Sequence, residues 1–415
     1  MTARTFGPIP PNRRDDDALR SVARLPALAF GFTADETLPW YRDLVGTDNL
    51  RVLTRTDDTG TIHTDAALGQ VPMGLYIAGK RVDQFGVLGV AVAPEARGKG
   101  LARTLMAEAV RAMHADSVPL SVLYSAMHPL YRRVGYELAG LLCTASIPAA
   151  LFPRSPDPDP GTWREATPDD HPAIESLYDA SARTHNGMLA RSAYIWQRIR
   201  EREGKAVGFI HTDADGTPDA YAYLVQKKWA EPIDTTGTAA GAHMTATDLA
   251  WTSPEGLAAL CDLIRGHSSV VGTIDTNLPP TSPLLAALPD WRYSMKILNS
   301  YLVRITHLEA ALLARGYSPA TTATVTLDIT DETIPENAGL WTLSVNAGTP
   351  TVERTTTPTA HTLAINIRDL APIYTGYTTP HALRDAGRAR CDDTTADLAA
   401  GIFATPTVPA MTDMF

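Results

Sequence analysis

Apolar residues recur at helical spacing in two segments of the first third of the chain. The segment DDDALRSVARLPALAFGF begins with acidic residues, and GLARTLMAEAVRAMHADS places Leu101, Leu105 and Ala109 on one face, as amphipathic helices do. Four apolar runs predict strands: NLRVLTRT, MGLYIAGKRVDQFGVLGVAVA, PLSVLYSA and ELAGLLCTASI. The run that begins with MGLYIAG is broken near Gly79 and Lys80. HPLYRRVGY predicts a short helix. This alternation predicts an α/β domain.

Changes in composition divide the chain into three predicted modules. The segment LFPRSPDPDPGTW has four prolines in 13 residues, which excludes regular structure, so the first module covers residues 1–152. The second module, residues 153–299, begins with a capped helix in REATPDDHPAIESLYDASARTH. In the third, residues 300–415, runs rich in Thr and Val predict strands, and DLAPIYTGY and TTADLAAGIF predict helices.

The second module contains a weaker copy of the first. MTATDLAWTSPEGLAALCDLIRGHSSVVGTI repeats the order strand, turn, helix, strand, with Ser253 as a helix N-cap and Pro254 at the first helical position. Its turn lacks the glycines and basic residues that precede the helix in the first module. We therefore expect a related but degenerate domain without a ligand loop.

Charge and cysteine content exclude several classes of protein. The 415 residues carry 36 Lys and Arg against 46 Asp and Glu, a net charge of −10, which argues against a general nucleic-acid binder. Three widely spaced cysteines with no CxxC or HExxH motif predict buried free thiols and no metal site. The N-terminus has no secretory core, and no apolar run approaches the ~20 residues that span a bilayer. We expect a cytoplasmic protein without a membrane partner.

The stretch VAVAPEARGKGLA joins a predicted strand to a predicted helix through a basic, glycine-rich turn. A P-loop requires a glycine where Ala93 stands and a hydroxyl residue where Gly100 stands. A dinucleotide fingerprint requires a glycine where Arg103 stands and no residues between strand and turn. Both patterns fail. The remaining pattern, R-x-x-G-x-A, is that of coenzyme A binding, and it is supplied by Arg97, Gly100 and Ala102.

The chemistry of this turn suits a pyrophosphate. Backbone N–H groups at a helix N-terminus converge on an anion, and glycines at 98 and 100 remove the Cβ atoms that would obstruct it. Arg97, Lys99 and Arg103 add positive charge around the phosphates. The alternative is a basic surface loop in front of an amphipathic helix.

At these residues the chain resembles a known family. Five consecutive segments resemble the acetyl-CoA core of GCN5-related N-acetyltransferases (GNATs). They are the strand VLGVAVAP, the loop EARGKG, the helix LARTLMAEAVRAM, the strand PLSVLYSA and the segment LYRRVGYELAG. Over nearly its full length the chain resembles the Eis family. That resemblance implies an α/β (α+β) fold with two tandem GNAT-like domains, the second degenerate, and a C-terminal sterol-carrier-protein-like domain. It is specific around residues 88–137 and at LVRITHLEAALLARGY.

The resemblance implies a site for acetyl-CoA and two catalytic groups. Tyr131 corresponds to the general acid, and a phenol of pKa ~10 can protonate a leaving thiolate. The α-carboxylate of Phe415, with an ordinary pKa of ~3.3–3.7, corresponds to the general base. The residues implied for the cofactor form three groups: the strand beside the pantetheine arm, the turn at the pyrophosphate and the positions beside the thioester. In that order they are Val90, Ala91 and Val92; Arg97, Gly98, Lys99, Gly100, Leu101, Ala102 and Arg103; and Ala126 and Met127.

The expected acceptor pocket departs from aminoglycoside-modifying relatives. Where they carry an acidic residue next to the last, this chain has Met414, with Asp413 one step further away. Phe32 stands near the expected position of a second acidic wall residue, and Trp40 is a further candidate for the wall. These residues predict a less anionic pocket.

The leading hypothesis is an acetyl-CoA-dependent N-acetyltransferase that acts by direct transfer on an amine of a small molecule or peptide, such as an aminoglycoside-like compound, a polyamine or a lysine side chain. The alternative is a non-catalytic acyl-CoA sensor or scaffold, which an intact Tyr131 disfavours. Lipid carriage by the last module is a third reading, although its strands show no long apolar stretch. The resemblance further implies a homo-hexamer.

Overall fold

The computed structural model of the chain describes residues 4–10, 14–155, 161–200, 206–226 and 242–415. Part of the proline-rich segment, residues 156–160, lies outside them. The helices are α1 Asp16–Phe30, α2 Ala34–Pro39, α3 Leu101–Ala115, α4 His128–Arg132, α5 His171–Arg183, α6 Ala193–Arg200, α7 Pro254–Gly266, α8 Pro283–Ala287, α9 Leu308–Ala314, α10 Ile367–Tyr374, α11 Pro380–Asp385 and α12 Asp393–Phe403.

The strands, in the same order, are β1 Arg4–Pro8, β2 Leu50–Thr56, β3 Ile62–Ile77, β4 Lys80–Val92, β5 Leu120–Tyr124, β6 Glu137–Pro148, β7 Thr162–Glu165, β8 Leu189–Ala190, β9 Val207–Thr212, β10 Pro218–Gln226, β11 Ala242–Trp251, β12 Val271–Asn277, β13 Ser294–Ile305, β14 Ala323–Thr330, β15 Gly339–Asn346, β16 Thr349–Thr355, β17 Thr362–Asn366 and β18 Ala389–Arg390. The predicted α/β class is confirmed.

Contacts group the chain into two compact units that do not follow chain order. One unit comprises Met1–Ala139, Tyr301–Thr405 and Phe415, and the other comprises Gly140–Ser300 and Pro406–Met414. The module boundaries after residues 152 and 299 stay predictions. No helix in the described ranges is both long and apolar enough to span a bilayer.

The first unit contains a sheet in the order β1-β2-β3-β4-β5-β13, with β13 contributing residues 301–305. Its strands pair antiparallel except β4 and β5, which run parallel, as the intervening crossover helix α3 requires. Helix α1 begins where Asp15 accepts a hydrogen bond from the N–H of Ala18 and ends at Gly31 in the left-handed conformation. Helix α3 buries an apolar stripe that includes Leu105, Met106 and Ala109.

The same unit contains a second sheet in the order β16-β15-β14-β17-β18. Helix α12, capped by Asp392, contacts β14 and β17. The predicted helices of this region correspond to α10 and α12, whereas the short helices α9 and α11 were not predicted from the sequence.

The second unit contains a sheet in the order β6-β12-β11-β10-β9-β7, with residues 140–148 of β6 belonging to it. Strands β11 and β12 run parallel and are joined by α7, which confirms the predicted order strand, turn, helix, strand. Helix α7 buries Leu260, Cys261 and Ile264 in the core of this unit.

Candidate active site

Strands β4 and β5 stop pairing at the predicted pantetheine segment. Their register runs from Gln84 opposite Leu120 to Val87 opposite Leu123, and β4 then continues for residues 88–92. Along this continuation β4 remains paired with β3 on its other side, after a register shift near Gly89. The edge of residues 88–92 that faces away from β3 therefore offers backbone N–H and C=O groups to a ligand. Val90 and Val92 are half-buried there, and Ala91 is buried.

The turn after β4 has the conformation that its glycines predict. Gly98 and Gly100 have φ values of +77° and +74°, which an L-residue rarely adopts. Gly100 is the residue before α3, and no side chain in the described ranges caps this helix. The first N–H groups of α3 therefore remain available to an anion.

The predicted pyrophosphate residues line one cavity of about 360 Å³. Leu130 of α4 and Arg133, the residue that ends α4, line the same cavity. Lys99 is exposed and lines a neighbouring cavity instead. The predicted residues in the first cavity are Val92, Arg97, Gly98, Gly100, Leu101, Ala102 and Arg103.

The neighbouring cavity, of about 410 Å³, is strongly basic on one side. Lys99, Arg103, Arg111 and Arg133 line it, and Arg103, Arg133 and Gly100 are shared with the first cavity. Glu108 accepts a hydrogen bond from Arg111 at 2.7 Å, which neutralises one of the four cations. Glu332 also lines this cavity, so four cations face two carboxylates there. Sequence reasoning missed Arg111 and Arg133, although the basic pair in LYRRVGY was a signal for the latter.

Tyr131 lies at the end of α4 with its side chain in the interior of the first unit. It is 7% exposed, and burial raises the pKa of its phenol to about 12. Its ring meets the ring of Tyr136 edge-on at 6.1 Å between centroids. Tyr136 is fully buried, and its hydroxyl forms a 2.7 Å hydrogen bond with the hydroxyl of Ser121. Tyr136 thus packs behind Tyr131, and Tyr131 keeps its phenol protonated over the physiological pH range.

Phe415 packs where β4 and β5 are last paired. Its ring lies 5.5 Å from the ring of Tyr124, the last residue of β5. An added Cβ at Gly86 of β4 would lie 2.9 Å from Cε2 of Phe415 and would also collide with Met73. The absence of a side chain at Gly86 therefore makes room for the C-terminal ring. Sequence reasoning named Phe415 but neither Gly86 nor Tyr124.

The expected thioester and acceptor residues occupy exposed or half-buried positions. Met127 is 62% exposed and immediately precedes α4, and Ala126 beside it is exposed. Phe32 is 62% exposed, and Met414 is 53% exposed.

Trp40 is half-buried and begins a π-helix, Trp40–Gly46. Its ring meets that of Tyr41 at 4.7 Å, and Tyr41 reaches Gly89 so closely that a Cβ at Gly89 would collide with its hydroxyl. Gly89 directly precedes Val90, so this packing brings the π-helix against β4 beside the pantetheine segment.

The corresponding helix of the second unit is closed to an anion. Ser253 caps α7 by accepting a 2.8 Å hydrogen bond from the N–H of Gly256. The Ser253 hydroxyl in turn donates to Asp219 at 2.7 Å. A carboxylate of the protein thus occupies the surroundings of this N-terminus, where it would repel a phosphate.

The three cysteines differ in burial. Cys143 and Cys261 are buried and Cys391 is half-buried, so the expectation of three buried thiols is wrong for Cys391. Burial raises the pKa of the Cys261 thiol to about 12. Within the described ranges no three His, Cys, Asp or Glu residues form a group that could hold a metal ion.

Three family models match the chain. A GNAT acetyltransferase domain matches residues 12–139, a second GNAT acetyltransferase domain matches residues 187–305, and a sterol carrier protein domain matches residues 308–412. These matches confirm the predicted fold class of two GNAT domains and a sterol-carrier-protein-like domain.

Known proteins of similar sequence are N-acetyltransferases. An uncharacterised N-acetyltransferase of Streptomyces coelicolor is 27% identical over 75% of this chain and 76% of its own length. The N-acetyltransferase Eis of Mycobacterium tuberculosis is 27% identical over 69% of this chain and 71% of its own length. A GCN5-related N-acetyltransferase from Anabaena variabilis has a crystal structure that superposes over 100% of both chains with a TM-score of 0.86 and 25% identity.

Proposed function

The chain belongs to the Eis family of GNAT N-acetyltransferases, and from this premise we propose that it transfers acetyl from acetyl-CoA directly to an amine of a small molecule or peptide. The observation that carries the proposal is the N-terminus of α3. It has no side-chain cap, and it opens with Arg97, Gly98 and Gly100 onto one cavity. Such a terminus favours an anion, and this supports binding of the pyrophosphate of coenzyme A there.

The remaining parts of the cofactor have matching surfaces. The open edge at residues 88–92 of β4 supports hydrogen bonds to the amides of the pantetheine arm. The basic cavity with Lys99, Arg103 and Arg133 supports binding of the 3′-phosphate. The thioester end then lies beside Ala126 and Met127, which precede α4.

The proton transfers fall to Tyr131 and Phe415. The amine nitrogen attacks the thioester carbon, the C–S bond breaks, and the sulfur takes the phenolic proton of Tyr131. The terminal carboxylate of Phe415 takes the proton that the amine loses. A carboxylate suits this role because its ordinary pKa of ~3.3–3.7 keeps it ionised at neutral pH. No covalent enzyme intermediate is required.

The acceptor pocket is less anionic than that of enzymes specialised for polycationic aminoglycosides. Met414 and Phe32 present apolar side chains to solvent. Asp413 is only 7% exposed and is held by Arg191, so its carboxylate is occupied within the protein. We infer that acceptors with one amine and an apolar body are preferred over polyamines.

The test is thiol release from acetyl-CoA with four classes of amine: aminoglycosides, polyamines, lysine peptides and arylalkylamines. We expect turnover with at least one class, and loss of turnover in a variant extended by one glycine beyond Phe415. Binding of acetyl-CoA without thiol release across the panel would favour an acyl-CoA sensor. Undiminished turnover in the extended variant would remove Phe415 from the mechanism.

We further propose a homo-hexamer, on the basis of the family resemblance. The side chains of Trp291, Ile297 and Leu298 are 83%, 65% and 60% exposed, and apolar side chains of this kind could be buried at a subunit contact. Light scattering at micromolar concentration tests the assembly, and a monomeric mass would overturn it.

A further inference from the structure

The second unit contains a buried ion cluster that includes a residue two positions from the chain end. Arg191 is 1% exposed at its side chain and lies between Asp248 and Asp413, with shortest N–O distances of 2.7 and 2.8 Å. Each carboxylate accepts two hydrogen bonds from this guanidinium. A bidentate pair of this kind fixes direction as well as distance.

Aromatic side chains complete the cluster. The Arg191 guanidinium lies 3.5 Å from the ring centroid of Tyr178 and 4.7 Å from that of Trp196. Tyr178 also donates a 3.2 Å hydrogen bond to Asp413, and Tyr221 donates a 2.7 Å hydrogen bond to Asp248. All these side chains are buried, so Asp413 is held in one position by both charge and packing.

The peptide before Asp413 is fixed by backbone bonds. Leu141 donates to Pro409 at 3.0 Å and accepts from Met411 at 3.0 Å, while Asn277 donates its side-chain amide to the carbonyl of Thr412 at 2.9 Å. Chain ends ordinarily fray unless they are tied down. Here the structure ties the last residues down as far as position 413 and leaves Met414 53% exposed.

We propose that Arg191 and Asp413 are positioning residues whose buried ion pair sets the location of the terminal carboxylate. The inference rests on the proposed role of Phe415 as the base. Two residues span at most about 7 Å, so a fixed Asp413 confines the carboxylate to a small volume. The Phe415 ring itself packs against Gly86 and Tyr124.

The chain offers a matched pair of variants to test this inference. Asp413→Asn and Asp248→Asn each replace one of the two carboxylates that pair with Arg191, and the two carboxylates are similarly buried. They differ in that only Asp413 belongs to the C-terminal peptide. The first readout is removal of Phe415 by carboxypeptidase A, followed by intact mass spectrometry. The second readout is kcat and KM with acetyl-CoA and the preferred amine.

We expect Asp413→Asn to release Phe415 roughly tenfold faster or more, because proteolysis follows the population of the open state. We expect its kcat to fall by about 10- to 100-fold, since a misplacement of about 1 Å can cost that much, while KM for acetyl-CoA stays within about twofold. Asp248→Asn should keep most of the kcat. Equal effects in Asp413→Asn and Asp248→Asn would reduce the cluster to a structural role and overturn the inference.

The wild-type protein provides a test that requires no folded variant. Carboxypeptidase A should trim a synthetic peptide of residues 405–415 much faster than it trims the native chain, and equal rates would overturn the inference. The glycine-extended variant separates the two proposals. If it stays active, the base is not Phe415; if it is inactive while Asp413→Asn is fully active, the base stands and the positioning role fails.

Discussion

Tyr131 is buried as a phenol, and its environment determines how it acts. Burial raises its pKa to about 12, so the phenol is protonated at neutral pH, as the proposed role of acid for a leaving thiolate requires. The ring behind it, Tyr136, shares its surroundings but directs its hydroxyl to Ser121. The two tyrosines therefore offer a matched comparison at the same site.

Tyr131→Phe should lower kcat by about 10²- to 10⁴-fold, the range of general acid catalysis. The dissociation constant of acetyl-CoA, measured by calorimetry, should hardly change because the ring remains. Tyr136→Phe serves as the control. It should cost about 1 kcal/mol of stability through the lost hydrogen bond and leave kcat within a few-fold. An unchanged kcat in Tyr131→Phe would exclude the phenol as the acid.

The raised pKa of Tyr131 also predicts how kcat should depend on pH. A phenol whose pKa is about 12 stays protonated at a higher pH than an ordinary tyrosine of pKa ~10. The kcat of the wild-type enzyme should therefore show no loss from this group up to about pH 11. A decline centred near pH 10 that disappears in Tyr131→Phe would contradict this prediction.

Arg133, like Gly100 and Arg103, lines both cavities of the proposed cofactor site. Arg133→Gln should weaken acetyl-CoA binding by about tenfold, because a hydrogen bond between charged groups contributes about 1.5–3 kcal/mol. Arg81→Gln is the control, since Arg81 is an exposed arginine paired with Asp83 on β4. Calorimetry at low and high salt measures both, and equal affinities in the two variants would remove Arg133 from the site.

At the scale of elements, β4 performs two tasks along one strand. Its first half holds Gly86, against which the Phe415 ring packs, and its last five residues leave β5. Gly86→Ala should displace the ring and lower kcat by about 10-fold or more while acetyl-CoA binding persists. Gly7→Ala on β1 is the control, because a Cβ there meets nothing within 4 Å. Normal turnover in Gly86→Ala would mean that the ring can shift without consequence.

Hydrophobic periodicity predicted the long elements and missed the short ones. The stripes of α1 and α3, the break between β3 and β4, and the order β11, α7, β12 follow from residues near one another in sequence. Helices α9 and α11 have seven and six residues, too few for a periodic pattern to stand out. The point at which β4 separates from β5 does not follow from periodicity, because it depends on tertiary contacts.

The same distinction applies to the candidate site. The pyrophosphate turn could be predicted because R-x-x-G-x-A is a local motif and because the backbone conformation of the turn explains its glycines. The ion pair between Arg191 and Asp413 spans 222 positions, and neither residue lies in a recognisable motif. Arg111 was missed for a related reason: its place in the basic cavity depends on which face of α3 lies beside residues 332 and 333.

At the scale of the whole molecule, the two GNAT domains differ at the N-terminus of the helix that follows the corresponding strand and turn. Helix α3 has no side-chain cap, whereas α7 is capped by Ser253 with the Asp219 carboxylate alongside. A Cβ at Gly256 would lie 2.7 Å from the carbonyl oxygen of Asp219, so the backbone there is already closely packed. The N-terminus of α7 is therefore occupied by groups of the protein itself, unlike that of α3.

We therefore predict that each chain binds one acetyl-CoA, with the ratio measured by calorimetry against the protein concentration from amino-acid analysis. Gly100→Pro should abolish the single binding event, because φ at this position is +74° and proline cannot adopt a positive φ. Ser253→Ala removes the cap of α7 and should cost about 1 kcal/mol of stability without creating a second event, since Asp219 still repels a phosphate. A ratio of two in the wild-type chain would show that the second domain binds the cofactor by a route other than its helix terminus.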